Sequence, residues 1–331
     1  MTTPAPNTSV VKQSPRRPDA FLMLIISMAI VGTFLPVHGV GVTIGTWVSR
    51  VMVALLFFLY GTRLARDDTI AGLKNWRLHV VILACTYVVF PVIGLALIPL
   101  SPALIAPELL RGLLWVCVVP GTVQSAVNFT SIARGNVAGA VVSSSLSNML
   151  GVLFTPLLAM LMMSTTGFVI SPTSFLDVVL QVLVPFVIGQ VARPLCHGFV
   201  SRHQRLKYFD QATIAVVVYL AFSDAITQRV WSRTNLGQIA VITVVALMIL
   251  LFMLWLTWHI AGWLHFSRRD QIAIQFCGTK KSLTSGVPMA YIIFPSPVVG
   301  LIVLPLMIFH QAQLMACSVL ASRYAKSHPE P

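Results

Sequence analysis

Charge is scarce in this sequence of 331 residues. Only 9% of the residues are charged and nine are acidic, whereas 57% are hydrophobic. A soluble domain of this size exposes far more charge, so the composition excludes an ordinary soluble protein and indicates an integral membrane protein. The net charge of +13 does not require nucleic acid as a partner, because basic residues beside apolar segments are explained by membrane topology.

Paired cysteines and catalytic motifs are also missing. The five cysteines are scattered without a Cys-x-x-Cys pair, so the sequence indicates neither a disulfide framework nor a zinc site. No Gly-x-Ser-x-Gly or His-Glu-x-x-His motif is present, and residues 278–282 (GTKKS) lack the first glycine of a phosphate loop. We therefore predict a protein that is not an enzyme and that binds no metal or organic cofactor.

Long apolar runs are abundant instead. Each is near the roughly 20 residues that cross a bilayer as a helix, and ten of them recur, at 20–36, 43–62, 78–98, 111–132, 136–163, 174–195, 210–228, 236–264, 270–294 and 297–322. The sequence predicts an all-α integral membrane protein with ten transmembrane helices. Residues 1–19 are polar and basic, and we expect them to form a disordered cytoplasmic tail.

The distribution of lysine and arginine predicts the orientation. With the N-terminus inside, sixteen positive residues fall on the inner side and four on the outer side, while Lys280 and Lys281 fall within the ninth span. Cytoplasmic loops retain positive charge. The pattern predicts a multi-pass protein of the inner (plasma) membrane with both termini in the cytoplasm.

Five spans lie on each side of a turn near residues 165–172, and an odd number per half inverts the second half relative to the first. The sequence therefore predicts inverted five-helix repeats. The first repeat covers 20–163 and the second covers 174–323. An inter-repeat loop at 164–173 joins them, and a cytoplasmic tail follows at 324–331.

Glycine and polar residues interrupt the fourth span of each half. The pairs Gly121-Thr122 and Gly278-Thr279 are 278 − 121 = 157 residues apart, close to half of the chain. Broken helices in corresponding places mark transporter binding sites, and half-helix N-termini favour an anion. The candidate solute-binding residues are the polar side chains of both interruptions: Thr122, Gln124, Ser125, Asn128, Lys280, Lys281, Ser282, Thr284 and Ser285.

Simpler explanations exist for some of these residues. Small and hydroxyl side chains also fill contacts between membrane helices. The serine-rich run 143–147 of the fifth span could have this packing role alone. The side chains of Lys280 and Lys281 could extend from a helix end to the cytoplasmic surface, although apolar residues on both sides favour a position within the membrane. Both alternatives stay open at the level of sequence.

The interrupted segments carry a resemblance. Residues 130–137 (TSIARGNV), followed by a serine-rich helix and 154–158 (FTPLL), resemble the fourth and fifth spans of the bile acid:sodium symporter family. Residues 276–288 (FCGTKKSLTSGVP) resemble the ninth span of that family's divergent branch, which holds orphan bacterial members and a vertebrate relative. The resemblance covers about residues 20–323. It implies a panel domain and a core domain, with the fourth and ninth helices crossing in the core as broken helices.

The resemblance also implies positions for sodium sites, at Thr86, Gln124, Ser125, Ser144 and Lys280. Where well-studied members carry a glutamate and a glutamine in the ninth helix, this sequence has Phe276 and Lys280. A lost carboxylate and a gained ammonium make a poor sodium site. We therefore expect sodium-independent binding of an anion, with Lys280 preferred over Lys281 as the ammonium that replaces sodium, and the coupling ion stays open between Na⁺, H⁺ and none.

Two classes of function follow from the sequence. The first is a secondary-active transporter that moves a small, anionic organic solute through the lipid bilayer by alternating access, as the bile acid:sodium symporters do. The second is a non-transporting membrane regulatory protein that keeps the carrier fold. Two interruptions lined with polar groups favour the carrier.

Overall fold

The structure is a computed structural model that describes residues 20–63, 75–167, 176–177, 179–202, 206–227 and 235–327. Every regular element within these ranges is helical. The predicted N-terminal tail 1–19 and most of the predicted inter-repeat loop lie outside the described residues.

Thirteen α-helices are described, and we number them in chain order. They are α1 Ala20–Phe34, α2 Val40–Arg63, α3 Trp76–Ala84, α4 Phe90–Ala96, α5 Pro107–Val118, α6 Val123–Ile132, α7 Val137–Ser164, α8 Val184–Arg202, α9 Leu206–Thr227, α10 Leu236–Trp263, α11 Arg268–Thr279, α12 Leu283–Ile293 and α13 Ser296–Ser327. A π-helical turn, Cys85–Val89, joins α3 to α4, and another, Val179–Leu183, precedes α8. The last helix continues to Ser327, beyond the predicted end of the second repeat at residue 323.

The predicted all-α membrane class is confirmed. Within the described residues, seven helical segments are long and apolar enough to cross a membrane, and eight when α5 and α6 count as one bent span. The helices α1, α11 and α12 are shorter, with 15, 12 and 11 residues. The number of ten spans therefore stays a prediction.

Both predicted interruptions are present. The helix α5 ends at Val118, and α6 begins at Val123 with a bend of 61°. Val119 is extended, as expected before a proline, and Pro120 has no N–H to continue the helix. We call residues 119–122 the first break and residues 280–282, between α11 and α12, the second break.

The second break starts later in the sequence than the glycine predicted. Gly278 and Thr279 form the end of α11, and Lys280 is the first extended residue. The two breaks therefore begin 280 − 119 = 161 residues apart. Gly278 instead lets α11 pack closely, since a Cβ there would lie 3.3 Å from the side chains of Cys85 and Thr257.

The two breaks contact each other through their backbones. The N–H of Ser282 donates to the carbonyl of Pro120 at 2.8 Å. A Cβ on Gly121 would lie 3.3 Å from the carbonyl oxygen of Lys280, so glycine permits this close approach. Unwound backbone at membrane depth is tolerated only where protein or water satisfies its polar groups, and the breaks do this in part for each other.

The helices fall into two groups by their contacts. The panel group consists of α1, α2, α8 and α9, in which α2 packs against α8 and α9, and α1 packs against α9. The core group consists of α3–α7 and α10–α13, which surround the two breaks. The helix α9 also packs against α12 and α13, and the π-helical turn before α8 contacts α7, so these contacts join the two groups.

Candidate functional site

A cavity of about 780 Å³ lies between the panel group and the core group. Its walls come from α1, α2, α8 and α9 on one side and from α6, α7, α12 and α13 on the other. The cavity extends to the end of α2 at Arg63, the start of α9 at Asp210 and the end of α6 at Ile132. A volume of this size is typical of sites for small organic molecules.

The first turns of two helices face this cavity. Residues 122–125 at the start of α6 and residues 282, 284 and 285 at the start of α12 line it. Helix N-termini present unpaired N–H groups and the positive end of the helix dipole. Thr122 makes no side-chain cap to α6, and its hydroxyl instead pairs with that of Ser125 at 2.8 Å. The first turns of two helices therefore meet at one cavity, and the hydroxyl of Ser282 caps the second of them by accepting from the N–H of Ser285.

The structure brings together seven of the nine predicted solute-binding residues. They line one cavity although the sequence separates them by up to 163 residues (285 − 122): Thr122, Gln124, Ser125, Asn128, Ser282, Thr284 and Ser285. Gln124 and Asn128 are exposed to it. The hydroxyl of Ser285 is buried and has no hydrogen-bond partner among the described residues. Their role in binding stays a prediction.

Lys280 and Lys281 do not line the cavity, and both side chains are completely buried. The ammonium of Lys280 lies behind the cavity wall, where it donates to the Ser125 hydroxyl at 3.3 Å and lies 4.2 Å from the centre of the Phe129 ring. Neither lysine forms an ion pair among the described residues. Neither side chain reaches the surface, so the alternative in which Lys280 and Lys281 extend to the cytoplasmic surface does not occur.

The ammonium of Lys281 points away from the cavity. It donates to the backbone carbonyls of Thr86, Cys117 and Val119 at 3.2, 3.1 and 3.0 Å. Because the backbone of the second break is extended, two consecutive side chains point into different parts of the core. Lys280 therefore lies directly behind the cavity wall, and Lys281 belongs to the packing between helices.

Known proteins identify the family. The model of the SBF-like CPA transporter family matches residues 19–326, nearly the whole chain. The chain belongs to this family. The resemblance to the divergent branch of the bile acid:sodium symporters is thereby confirmed, and the protein is a member of a family of transporters.

Relatives of the chain occur in bacteria and vertebrates. It is 46% identical over 314 residues to the uncharacterized protein PA2026 of Pseudomonas aeruginosa and 42% identical over 309 residues to YfeH of Escherichia coli, with 93% of each chain covered. It is 33% identical over 280 residues to sodium/bile acid cotransporter 7 of the rat, with 82% of each chain covered.

The sodium positions implied by the resemblance have different surroundings in this SBF-like protein. The hydroxyl of Thr86 donates to the carbonyl of Ile82 at 2.9 Å, and the hydroxyl of Ser144 contacts the Cys277 thiol at 3.5 Å. Neither residue lines the cavity, whereas Gln124 and Ser125 do. Among the described residues, no group of three histidine, cysteine or acidic side chains is placed to hold a metal ion. A sodium site at these positions stays untested.

Three cavity residues were absent from the sequence prediction: Arg63, Asp210 and His310. Arg63, which sequence alone counts as an inner loop charge, donates to the carboxylate of Asp210, and both line the cavity. They are 147 residues apart, and no local pattern joins them. His310 also lines the cavity and contacts the carbonyl of Lys281 at 3.2 Å. The only signals in the sequence were a charge near a span end for Arg63 and Asp210 and an imidazole within the tenth span for His310.

Proposed function

We propose that this protein is a secondary-active carrier of a small organic anion, which binds in the cavity and crosses the inner membrane by alternating access. The main support is the pair of helix N-termini, α6 and α12, that face the same cavity. They come from the two broken spans, which is the arrangement by which transporters bind anionic groups. Several vertebrate relatives are named sodium/bile acid cotransporter 7, and bile acids are amphipathic anions.

The walls of the cavity fit an amphipathic solute. Phe21, Phe57, Phe129, Met149 and Met289 provide apolar surface, against which a hydrocarbon body can pack. The anionic group would contact the first turns of α6 and α12. The guanidinium of Arg63 lies in the cavity wall, where it is paired with Asp210, and the buried ammonium of Lys280 lies behind the Ser125 hydroxyl.

The contact pattern supports ten spans in two inverted repeats. Seven long segments, α1 and the two broken spans α5–α6 and α11–α12 add to ten. In this arrangement the panel group is the panel domain and the core group is the core domain. The cavity reaches the ends of α2 and α9 that the charge distribution assigns to the cytoplasm, so we assign the structure to the inward-facing state, with both termini cytoplasmic.

Sodium is not needed in this proposal. The residue at the ninth-helix glutamate position is Phe276, which is completely buried and lies against Phe129 at 6.1 Å between ring centres. An apolar ring offers no carboxylate for a cation. We therefore propose anion binding that is independent of sodium.

The experiment has two stages. Purified protein is screened by thermal unfolding with amphipathic organic anions, such as taurocholate and steroid sulfates, each beside an uncharged analogue. Ligand binding raises the melting temperature, and we expect anions to do so in sodium and in choline alike. The best anion is then measured by counterflow in proteoliposomes with wild type, Asn128→Ala and the control Thr243→Ala, whose hydroxyl bonds within α10 outside the cavity.

We expect Asn128→Ala to reduce counterflow at least about fivefold at unchanged melting temperature, since about one hydrogen bond is lost. Thr243→Ala should behave as wild type. Stabilisation by uncharged analogues alone, or a strict requirement for sodium, would overturn the proposal. Binding without counterflow would instead favour the non-transporting regulator.

A further inference from the structure

Three backbone carbonyls form a cage inside the core group. The oxygens of Thr86, Cys117 and Val119 lie 3.0 to 3.2 Å from the ammonium nitrogen of Lys281. The ring of Phe90 adds its face at 3.9 Å from this nitrogen to the ring centre. We call these four groups the carbonyl cage. It lies outside the residues that line the cavity.

One of these carbonyls is freed by a π-helical turn followed by a proline. The N–H of Phe90 bonds to the carbonyl of Cys85, five residues earlier, and so skips the carbonyl of Thr86. If this five-residue spacing continued, the carbonyl of Thr86 would accept from the N–H of residue 91. Residue 91 is a proline and has no N–H. The carbonyl of Thr86 therefore has no partner within its own helix and needs one elsewhere.

The other two carbonyls are freed where α5 ends. Helical pairing would give the carbonyl of Cys117 the N–H of Gly121, but that N–H donates to the hydroxyl of Ser147 at 3.3 Å. Val119 already belongs to the first break, so its carbonyl also leaves the helix. Both oxygens carry the negative end of the α5 dipole. The sequence thus concentrates three unpaired acceptors in one buried place.

This cage matches a single positive charge. An ammonium has three N–H donors, one for each carbonyl, and a cation is attracted to the face of an aromatic ring. No acidic side chain forms an ion pair with Lys281 among the described residues, so neutral dipoles alone balance its charge. Carbonyl oxygens in this role bind K⁺ in channels, and the distances of 3.0 to 3.2 Å exceed the roughly 2.3–2.6 Å typical of Ca²⁺.

We propose that the carbonyl cage is a monovalent-cation site that the ammonium of Lys281 fills as a tethered ion, and that shortening this side chain opens the site to a free cation of similar size. The tethered charge holds the turn between α3 and α4, the end of α5 and the second break together. It also removes the need for an external ion at this place. The proposal stands independently of the proposed transport function.

The test is cation-dependent stability of Lys281→Ala. Thermal unfolding of the purified full chain is measured in chlorides of choline, lithium, potassium, ammonium and methylammonium at one ionic strength. We expect wild type to melt at the same temperature in each salt. The variant should melt well below wild type in choline and regain half or more of the loss in potassium or ammonium, in a saturable manner, with lithium less effective.

Two variants serve as matched controls. Lys280→Ala removes the adjacent buried ammonium, which contacts a hydroxyl and a ring but no carbonyl, and should show no cation response. Lys281→Met fills the space with an apolar chain, so it should stay destabilised in every salt. Recovery of Lys281→Ala from membranes only when potassium or ammonium is present throughout purification also supports the site. Equal melting of Lys281→Ala in all salts, or failure to recover it in any of them, would overturn the proposal.

Discussion

The two breaks have similar backbones but different surroundings. The first break contains Pro120 and Gly121, carries no charge and leads directly into the cavity wall. The second break contains two lysines, and both of their side chains are completely buried. Similar positions in two halves of a chain have therefore acquired different chemistry.

The difference extends to the helices that support each break. From α7, the amide of Asn148 donates to the carbonyl of Gly121 at 2.8 Å. From α13, Gln313 both accepts from the N–H of Lys281 and donates to its carbonyl, each at 2.8 Å, and it is completely buried. We infer that the first break mainly presents groups to a solute, whereas the second break presents Ser282 to the same cavity and, through Lys281 and Gln313, also holds the core together.

The largest effect should come from removing the support of the second break. Gln313→Leu keeps the volume but leaves the N–H of Lys281 buried without a partner and weakens the bonding of its carbonyl. Unsatisfied buried groups cost about 1–3 kcal/mol each, so we expect a loss of about 2–4 kcal/mol in the free energy of unfolding. Chemical unfolding in detergent measures this loss.

Asn148→Leu is the matched change at the first break. Asn148 lines the cavity, from which water can replace its amide at the carbonyl of Gly121, so the loss should stay below about 1 kcal/mol. Equal losses for the two variants would remove the distinction between a supporting break and a ligand-facing break.

A smaller effect, on binding rather than stability, is expected from removing the positive charge of Arg63, whose side chain lines the cavity. Arg63→Gln removes a charged donor, and bonds to charged groups contribute about 1.5–3 kcal/mol, which corresponds to at least about a tenfold loss in affinity for the organic anion. Arg50→Gln is the control, because Arg50 is on the same helix, exposed and outside the cavity. Titration by thermal shift compares the two, and identical affinities would contradict a role for Arg63.

Local chemistry in the sequence was enough to predict the membrane class, both interruptions and seven of the residues that share the cavity. Glycine, proline and hydroxyl residues within apolar runs determine where a membrane helix unwinds, and this information is local. The second break starts at Lys280 rather than at the predicted Gly278. Gly278 instead allows close packing against Cys85 and Thr257, and α11 continues through it.

The divergence of the two lysines could not be predicted. Their directions depend on the extended backbone at Lys280 and on carbonyls freed near Pro91 and at the end of α5. The pairing of Arg63 with Asp210 could not be predicted either, since it depends on how α2 packs against α9. Contacts of this kind are decided by tertiary packing between distant segments.

The most direct test of the solute site is protection of a cysteine in the cavity. Asn128→Cys, in a background with Cys196→Ser, is exposed to a water-soluble thiol reagent with and without the organic anion identified by thermal shift. The native cysteine at 277, beside the second break and buried, serves as an internal control. We predict that the cysteine at 128 reacts, that the anion slows this reaction in proportion to its occupancy, and that Cys277 stays unmodified throughout. A reaction at 128 that proceeds at the same rate with saturating anion would contradict a binding site in this cavity.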